Sequence, residues 1–254
     1  MNFKTVTLLT TERTYSVSAS IPLATVFLFL LLFTLTAALA GASVSTIAHY
    51  KVSSKGFTIG DVTTTQRTSE DGGVATIRFE TKTAVKASFL WMGYQQETIE
   101  KGTLLKGNLV NYARKGSENG VAIDIEGRLE NASFRFDVRE RGLTRSIVIP
   151  RSSYDNTTME CPEALLDFSV APQITLRVLD VEKLAVVKRE YRLVKNSQYT
   201  IGDRDFPCRI VDFADSNKKA RRWINWDGSA VVMYRQDGTG ENSSYSVRAT
   251  SVSK

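Results

Sequence analysis

Histidine is almost missing from this chain: one residue among 254, at position 49. A serine or cysteine nucleophile needs a neighbouring base, and histidine is the usual one. Ser152 and Ser153 therefore have no second histidine to pair with, which argues against a Ser/His/Asp triad; a Ser/Lys dyad stays open, but no motif points to one. Zinc sites draw chiefly on His and Cys, and one His and a cysteine pair expected to be bridged remove most of those ligands. No glycine-rich phosphate loop is present. Asp203-Arg204-Asp205 offers too few oxygens for a calcium loop and reads as a solvated turn. No catalytic residue, no metal and no cofactor is expected, and the chain is read as non-enzymatic.

Charge is the next absence. No Asp, Glu, Lys or Arg lies between Arg13 and Lys51, and residues 21–42 read IPLATVFLFLLLFTLTAALAGA. About 20 apolar residues in a helix span the roughly 30 Å core of a bilayer. Residues 1–42 are read as a signal peptide or an N-terminal membrane anchor, and both readings stay open. Ala38-Leu39-Ala40 supplies small residues of the kind found at cleavage sites, whereas the length of the apolar run favours an anchor. Either way, residues 43–254 are expected on the extracytoplasmic side, periplasmic or in the cell envelope.

Cys161 and Cys208 both follow this segment. Outside the cytosol an even pair is expected to form a disulfide, worth on the order of 4 kcal/mol in the chain-entropy description; two buried thiols are the alternative. The net charge of +6 is spread along the chain, which fits contact with an anionic envelope surface and not nucleic acid.

The rest alternates. Phe134, Phe136 and Val138 interleave with Arg135, Asp137 and Arg139. Val121, Ile123 and Ile125 interleave with Ala122, Asp124 and Glu126, and Tyr245, Val247 and Ala249 with Ser246, Arg248 and Thr250. Period two means half-buried antiparallel strands. Asp71-Gly72-Gly73, Asn119-Gly120, Asp227-Gly228 and Asp237-Gly238 provide hairpin turns. Strands are expected near 47–54, 57–67, 74–86, 88–99, 104–113, 121–129, 133–140 and 143–149. A second set is expected near 174–180, 185–194, 207–214, 219–226, 230–236 and 244–251. Thr157 to Phe168 breaks the rhythm and reads as one short helix, capped by Thr157 or Thr158, with Ala164, Leu165 and Phe168 on its apolar side. The fold class is mainly β: one large curved antiparallel meander, or partial barrel, with a short plug helix, in a single domain over 43–254.

The order of features resembles a known pattern. An opening strand leads into Gly56-Phe57-Thr58-Ile59-Gly60. Aromatics follow at Phe89, Trp91 and Tyr94 with Glu97, then Ser152-Ser153-Tyr154, and Trp223, Asp227-Gly228 and Tyr234 close the chain. This is similar to a family of uncharacterised exported bacterial β-rich proteins, themselves distantly similar to the curved sheets of periplasmic lipoprotein-carrier-type proteins. The family often carries a His in the aromatic strand and another near Ser-Ser-Tyr. Here Gln95, Gln96 and Asp155 occupy those neighbourhoods, so no histidine role transfers.

Two surfaces stand out. Phe89, Trp91 and Tyr94, with Trp223 and Trp226, are candidate contacts for an apolar ligand inside the sheet; for the first three the alternative is a strand buried on both faces. Lys218, Lys219, Arg221 and Arg222 are the densest basic cluster and a candidate anionic lipid or polysaccharide contact; the alternative is a solvated edge hairpin. Asn131, Asn156 and Asn242 begin glycosylation sequons, which matter only in a host that glycosylates. The expected partners are the membrane and a lipid or envelope protein. The first functional reading is a non-catalytic envelope protein binding an apolar ligand, lipid or partner through the curved sheet. The second is an accessory subunit of a membrane complex with a retained helix.

Overall fold

The computed structural model describes residues 43–89, 92–228, 230–239 and 244–254. The proposed signal or anchor, Trp91 and the side chain of Phe89 lie outside the described residues. Among those described, no helix is long and apolar enough to cross a membrane.

One sheet organises the described chain. Its strands are β1 (Val44–Ser54), β2 (Phe57–Asp71), β3 (Val74–Phe89), β4 (Met92–Leu105), β5 (Asn108–Glu118), β6 (Val121–Glu130), β7 (Ser133–Glu140) and β8 (Leu143–Pro150). The short β9 (Asn156–Thr157) follows. Then come β10 (Gln173–Asp180), β11 (Ala185–Ile201), β12 (Arg204–Ala214), β13 (Lys219–Trp226), β14 (Val231–Thr239) and β15 (Ser244–Ser253). The spatial order runs from β8 back to β1, continues to β15, and from there runs back to β9. Two meanders are thus joined at their first and last strands, with Ile47 facing Ser253 and Ser54 facing Tyr245. Only β9, against β10, is parallel.

The alternation does what period two requires. In β7, Phe134, Phe136 and Val138 are buried while Arg135 and Arg139 face outward, each buried aromatic contributing about 1.5–3 kcal/mol from area removed from water. Asn119 and Gly120 both adopt positive φ (51° and 78°), the two-residue hairpin geometry whose twist matches the strands. The sheet curls far enough for distant strands to meet. Leu109, Phe134 and Phe136 from β5 and β7 share one cluster with Leu179, Val181 and Leu184 from the β10–β11 corner. Glycine makes room for the rings: a Cβ on Gly127 would lie 2.7 Å from Phe134 and 2.8 Å from Phe136.

Three expectations change. Residues 157–168 do not form one helix. They make two 3-10 turns, Thr158–Glu160 and Pro162–Ala164, after an earlier turn at Arg151–Ser153. Cys161 separates them in the left-handed region, φ 47°. It precedes Pro162, whose ring disfavours the helical conformation of the residue before it. Ala164 and Phe168 are buried, but Leu165 is 58% exposed. Second, Gly238 is not in a turn. It lies within β14, under the Tyr245 ring, whose Cζ would stand 2.6 Å from a Cβ there.

Third, Cys161 and Cys208 are free thiols. Neighbouring residues on a strand point to opposite faces. Arg209 reaches the plug segment, its Nη1 donating to Leu166 O at 2.8 Å, so Cys208 faces away from it. Cys208 packs instead with Val232 and Tyr234. Both thiols should therefore alkylate in denaturant without reductant, with Cys161 reacting slowly in the native protein; labelling that requires prior reduction would restore the bridge.

Candidate functional site

The segment from Arg151 to Phe168 lies on one face of the sheet as a plug. The Glu160 carboxylate holds one side of it: Oε1 accepts from the backbone N–H of Leu109 on β5 at 3.0 Å, and Oε2 from Asn156 Nδ2 at 3.0 Å and Thr157 N at 3.1 Å. The other side is held from β12 and β13, by Arg209 and by an ion pair between Arg222 and the buried Glu163. Near Pro150 the crossing is tied to β10, where Asp155 accepts from the Arg177 guanidinium at 2.7 Å and from its backbone N–H at 2.8 Å.

Between plug and sheet lies a cavity of about 230 Å³. Its apolar wall comes from Tyr50 (β1), Ile77 and Phe79 (β3), Leu104 (β4), Met159 on the plug, and Ile224, Val231 and Met233 (β13 and β14). Glu160, Cys161 and Arg222 supply polar groups. Burial pushes the Tyr50 hydroxyl pKa up to about 12, against the opposing hydrogen bond of the Thr64 hydroxyl. Burial does the same to the Cys161 thiol, with Glu163 adding to it, also up to about 12. Both are therefore neutral near pH 7. Burial opposes the charge on Arg222, and Glu163, together with Cys161 and Tyr191, more than offsets it, so the guanidinium stays cationic and paired. The volume is just under the roughly 300–1,000 Å³ of drug-sized sites. It suits a short apolar group or part of a longer chain.

A second polar cluster lies beside it. Arg189, 1% exposed, bridges Asp180 at 2.9 Å and Asp215 at 2.7 Å, and Lys218 stands 3.6 Å from Asp180. Burial alone would raise the Asp180 pKa, but Lys218, Arg189 and two backbone N–H groups lower it overall. The Phe213 ring carries both Arg189 and Arg222, each guanidinium carbon 4.8 Å from its centroid.

The residues singled out from sequence are not brought together. Tyr94 is half exposed on β4, its hydroxyl 3.0 Å from Gln96 Oε1. Trp223 lies under the Arg235 guanidinium at 4.5 Å, in an open groove of about 830 Å³ that Lys219 and Arg221 also line. Trp226 is partly exposed at the end of β13. None of the three lines the interior cavity. The basic run divides as strand alternation demands. Lys218 pairs with Asp180 and Glu182, and Arg221 with Asp212 at 2.7 Å. Arg222 faces the plug, and Lys219 is exposed. His49 is exposed on β1, its Nδ1 3.1 Å from Thr63 Oγ1.

The lining missed from sequence is Tyr50, Ile77, Phe79, Leu104, Ile224 and Met233. Each sits at an alternating position of its strand, so its face was readable. Which faces converge is set by the curl of the whole sheet.

No protein-family model matches this chain, and no curated protein matches it. Among solved structures, an N-terminal dehydratase from the difficidin assembly line aligns at 11% identity over 90% of this chain and 84% of its own, with a TM-score of 0.13, where no common fold is implied. The crystal structure of a β-barrel-like protein of the domain of unknown function DUF1849 from Brucella abortus aligns over 82% of this chain and 97% of its own, at 12% identity and a TM-score of 0.54. At that identity the likeness is one of fold: this chain is similar to a bacterial β-barrel-like protein whose function is itself unknown.

Proposed function

We propose that this is a non-catalytic cell-envelope protein that takes an apolar ligand, such as the acyl portion of a lipid, between the plug and the curved sheet. The observation that carries this reading is the interior cavity, walled by Ile77, Phe79, Leu104, Met159, Ile224 and Met233. The apolar part of such a wall gains free energy in proportion to the ligand area it removes from water, about 25 cal/mol per Å². The uncharged run at 21–42 supports an extracytoplasmic location, where such a ligand would come from the membrane. Carriage of a lipid-bearing partner, as the resemblance to lipoprotein-carrier sheets implies, is a form of the same reading.

The test is binding of a fluorescent fatty acid to the full chain in amphipol, with displacement by decanoic acid. Saturable, displaceable binding is expected. Met233→Trp, which fills the cavity, should lose it by tenfold or more while circular dichroism stays unchanged; overpacking costs about 1–3 kcal/mol, and Ile77→Phe serves as a milder second variant. Equal signals from wild type and both filled variants would refute the reading.

A further inference from the structure

The arginines on the face away from the plug are not equally provided for. Like charges directly opposite each other on neighbouring strands repel, and this sheet usually answers them with carboxylates. Arg128 faces Arg135, and Glu130 lies 2.6 Å from the first and Asp137 3.2 Å from the second. Arg235 faces Arg248, and Asp237 holds Arg235 at 2.5 Å. Arg67 on β2 faces Arg78 on β3 in the same way. Among the described residues neither has a carboxylate within ion-pair distance, and both are exposed.

The pair borders a cavity of about 290 Å³ that Thr65, Lys101, Thr103 and Asn111 also line. One carboxylate, Glu80, lines it too, and two lysines share that group: Lys101 at 2.9 Å and Lys82 at 3.2 Å. Four cations thus surround one carboxylate, and the two guanidinium groups are the ones left without a counter-charge. Directly opposed residues have Cβ atoms about 4.5–5.5 Å apart, so both forks can close on one tetrahedral anion. Guanidinium groups match phosphate oxygens in paired, charge-assisted hydrogen bonds, and hydroxyl and amide donors stand alongside at Thr65, Thr103 and Asn111.

We propose that Arg67 and Arg78, aided by Lys101, form a binding site for a phosphate group, carried either by a lipid headgroup or by a soluble phosphate ester. The Arg78 side chain leaves the strand on the opposite face from its neighbour Phe79, which borders both this cavity and the interior one. The site stands whether or not the interior cavity takes a ligand.

The test uses the full chain in nonionic detergent at low ionic strength. Three probes are titrated: inorganic phosphate, glycerol 3-phosphate, and phosphatidic acid doped into the micelles. Chloride at matched ionic strength is the control for plain screening. At least one probe should raise the wild-type melting temperature beyond the effect of chloride. The R67Q/R78Q variant should melt higher than wild type without phosphate, because the repulsion is relieved, and should bind the probe tenfold or more weakly. Arg192→Gln, which removes an arginine already paired with Asp212, should leave binding unchanged. A response to the soluble probes assigns a soluble ester, and a response to phosphatidic acid alone assigns a headgroup. No response beyond chloride, or an equal response in R67Q/R78Q, overturns the site. The single variants R67Q and R78Q decide the matter if the double variant does not fold.

Discussion

Replacing Arg189 with methionine is expected to destabilise the protein by about 3–5 kcal/mol, the usual effect of removing one partner from a buried ion pair. The substitution strands two carboxylates, Asp180 and Asp215, whose side chains are 2% and 1% exposed. Lys218 remains 3.6 Å from Asp180 and softens the loss there, while Asp215 keeps only the backbone N–H groups of Asn217 and Lys218. Urea unfolding followed by circular dichroism measures the change. Neutralising the whole cluster, with Asp180→Asn and Asp215→Asn added to Arg189→Met, should recover most of the loss, because an uncharged cluster strands no ion. A loss below about 1 kcal/mol in the single variant would mean that water already reaches these carboxylates. The pH dependence has a fixed sign. The Asp180 pKa is lowered in the folded state, so its contribution is present above the ordinary aspartate value of about 3.9 and is lost as pH falls through the lowered one. In Arg189→Met that acid-side fall should flatten.

Phe134→Ala should cost a similar amount, about 3–5 kcal/mol, by a different route. The ring is fully buried, tilted against Phe136 with centroids 4.8 Å apart, and rests on the bare backbone of Gly127. Removing it opens a void where β6 and β7 meet the β10–β11 corner. Leu179 and Val181 lie in the same cluster, so the corner loses its seat. The denaturant midpoint should fall with an unchanged slope. A fall in slope would instead show that the corner has come away in the native state.

These two cases also show what could be read in advance. Phe134 was assigned to a core face from alternation alone, and every strand expected from the sequence is present, some of them longer than expected. β4 runs past its expected end, to Leu105, and β5 begins late, at Asn108, because the turn between them forms at Lys106-Gly107, both at positive φ, rather than before Leu104. Period two and hairpin chemistry are local, so they survive without tertiary information. Arg189 was not singled out, because its partners come from β10 and from the β12–β13 corner. The plug's place is legible but its form is not: the i, i+3, i+4 spacing suits a helix, and the left-handed turn at Cys161 overrides it. The cavity wall was missed for a related reason. The dense aromatic run at 89–94 outweighed single apolar residues scattered over β1, β3, β4, β13 and β14, which only the curl of the sheet collects.

The pairing of β1 with β15 sets an order of assembly. The strand that enters first has one neighbour, β2, until the last of the fifteen has been made; Val52 must wait for Val247. Contacts so far apart in sequence form slowly. As the chain is made, the two halves would form as separate half-sheets with open inner borders, and the final ten-residue strand would act as the zip that closes them from the middle outward.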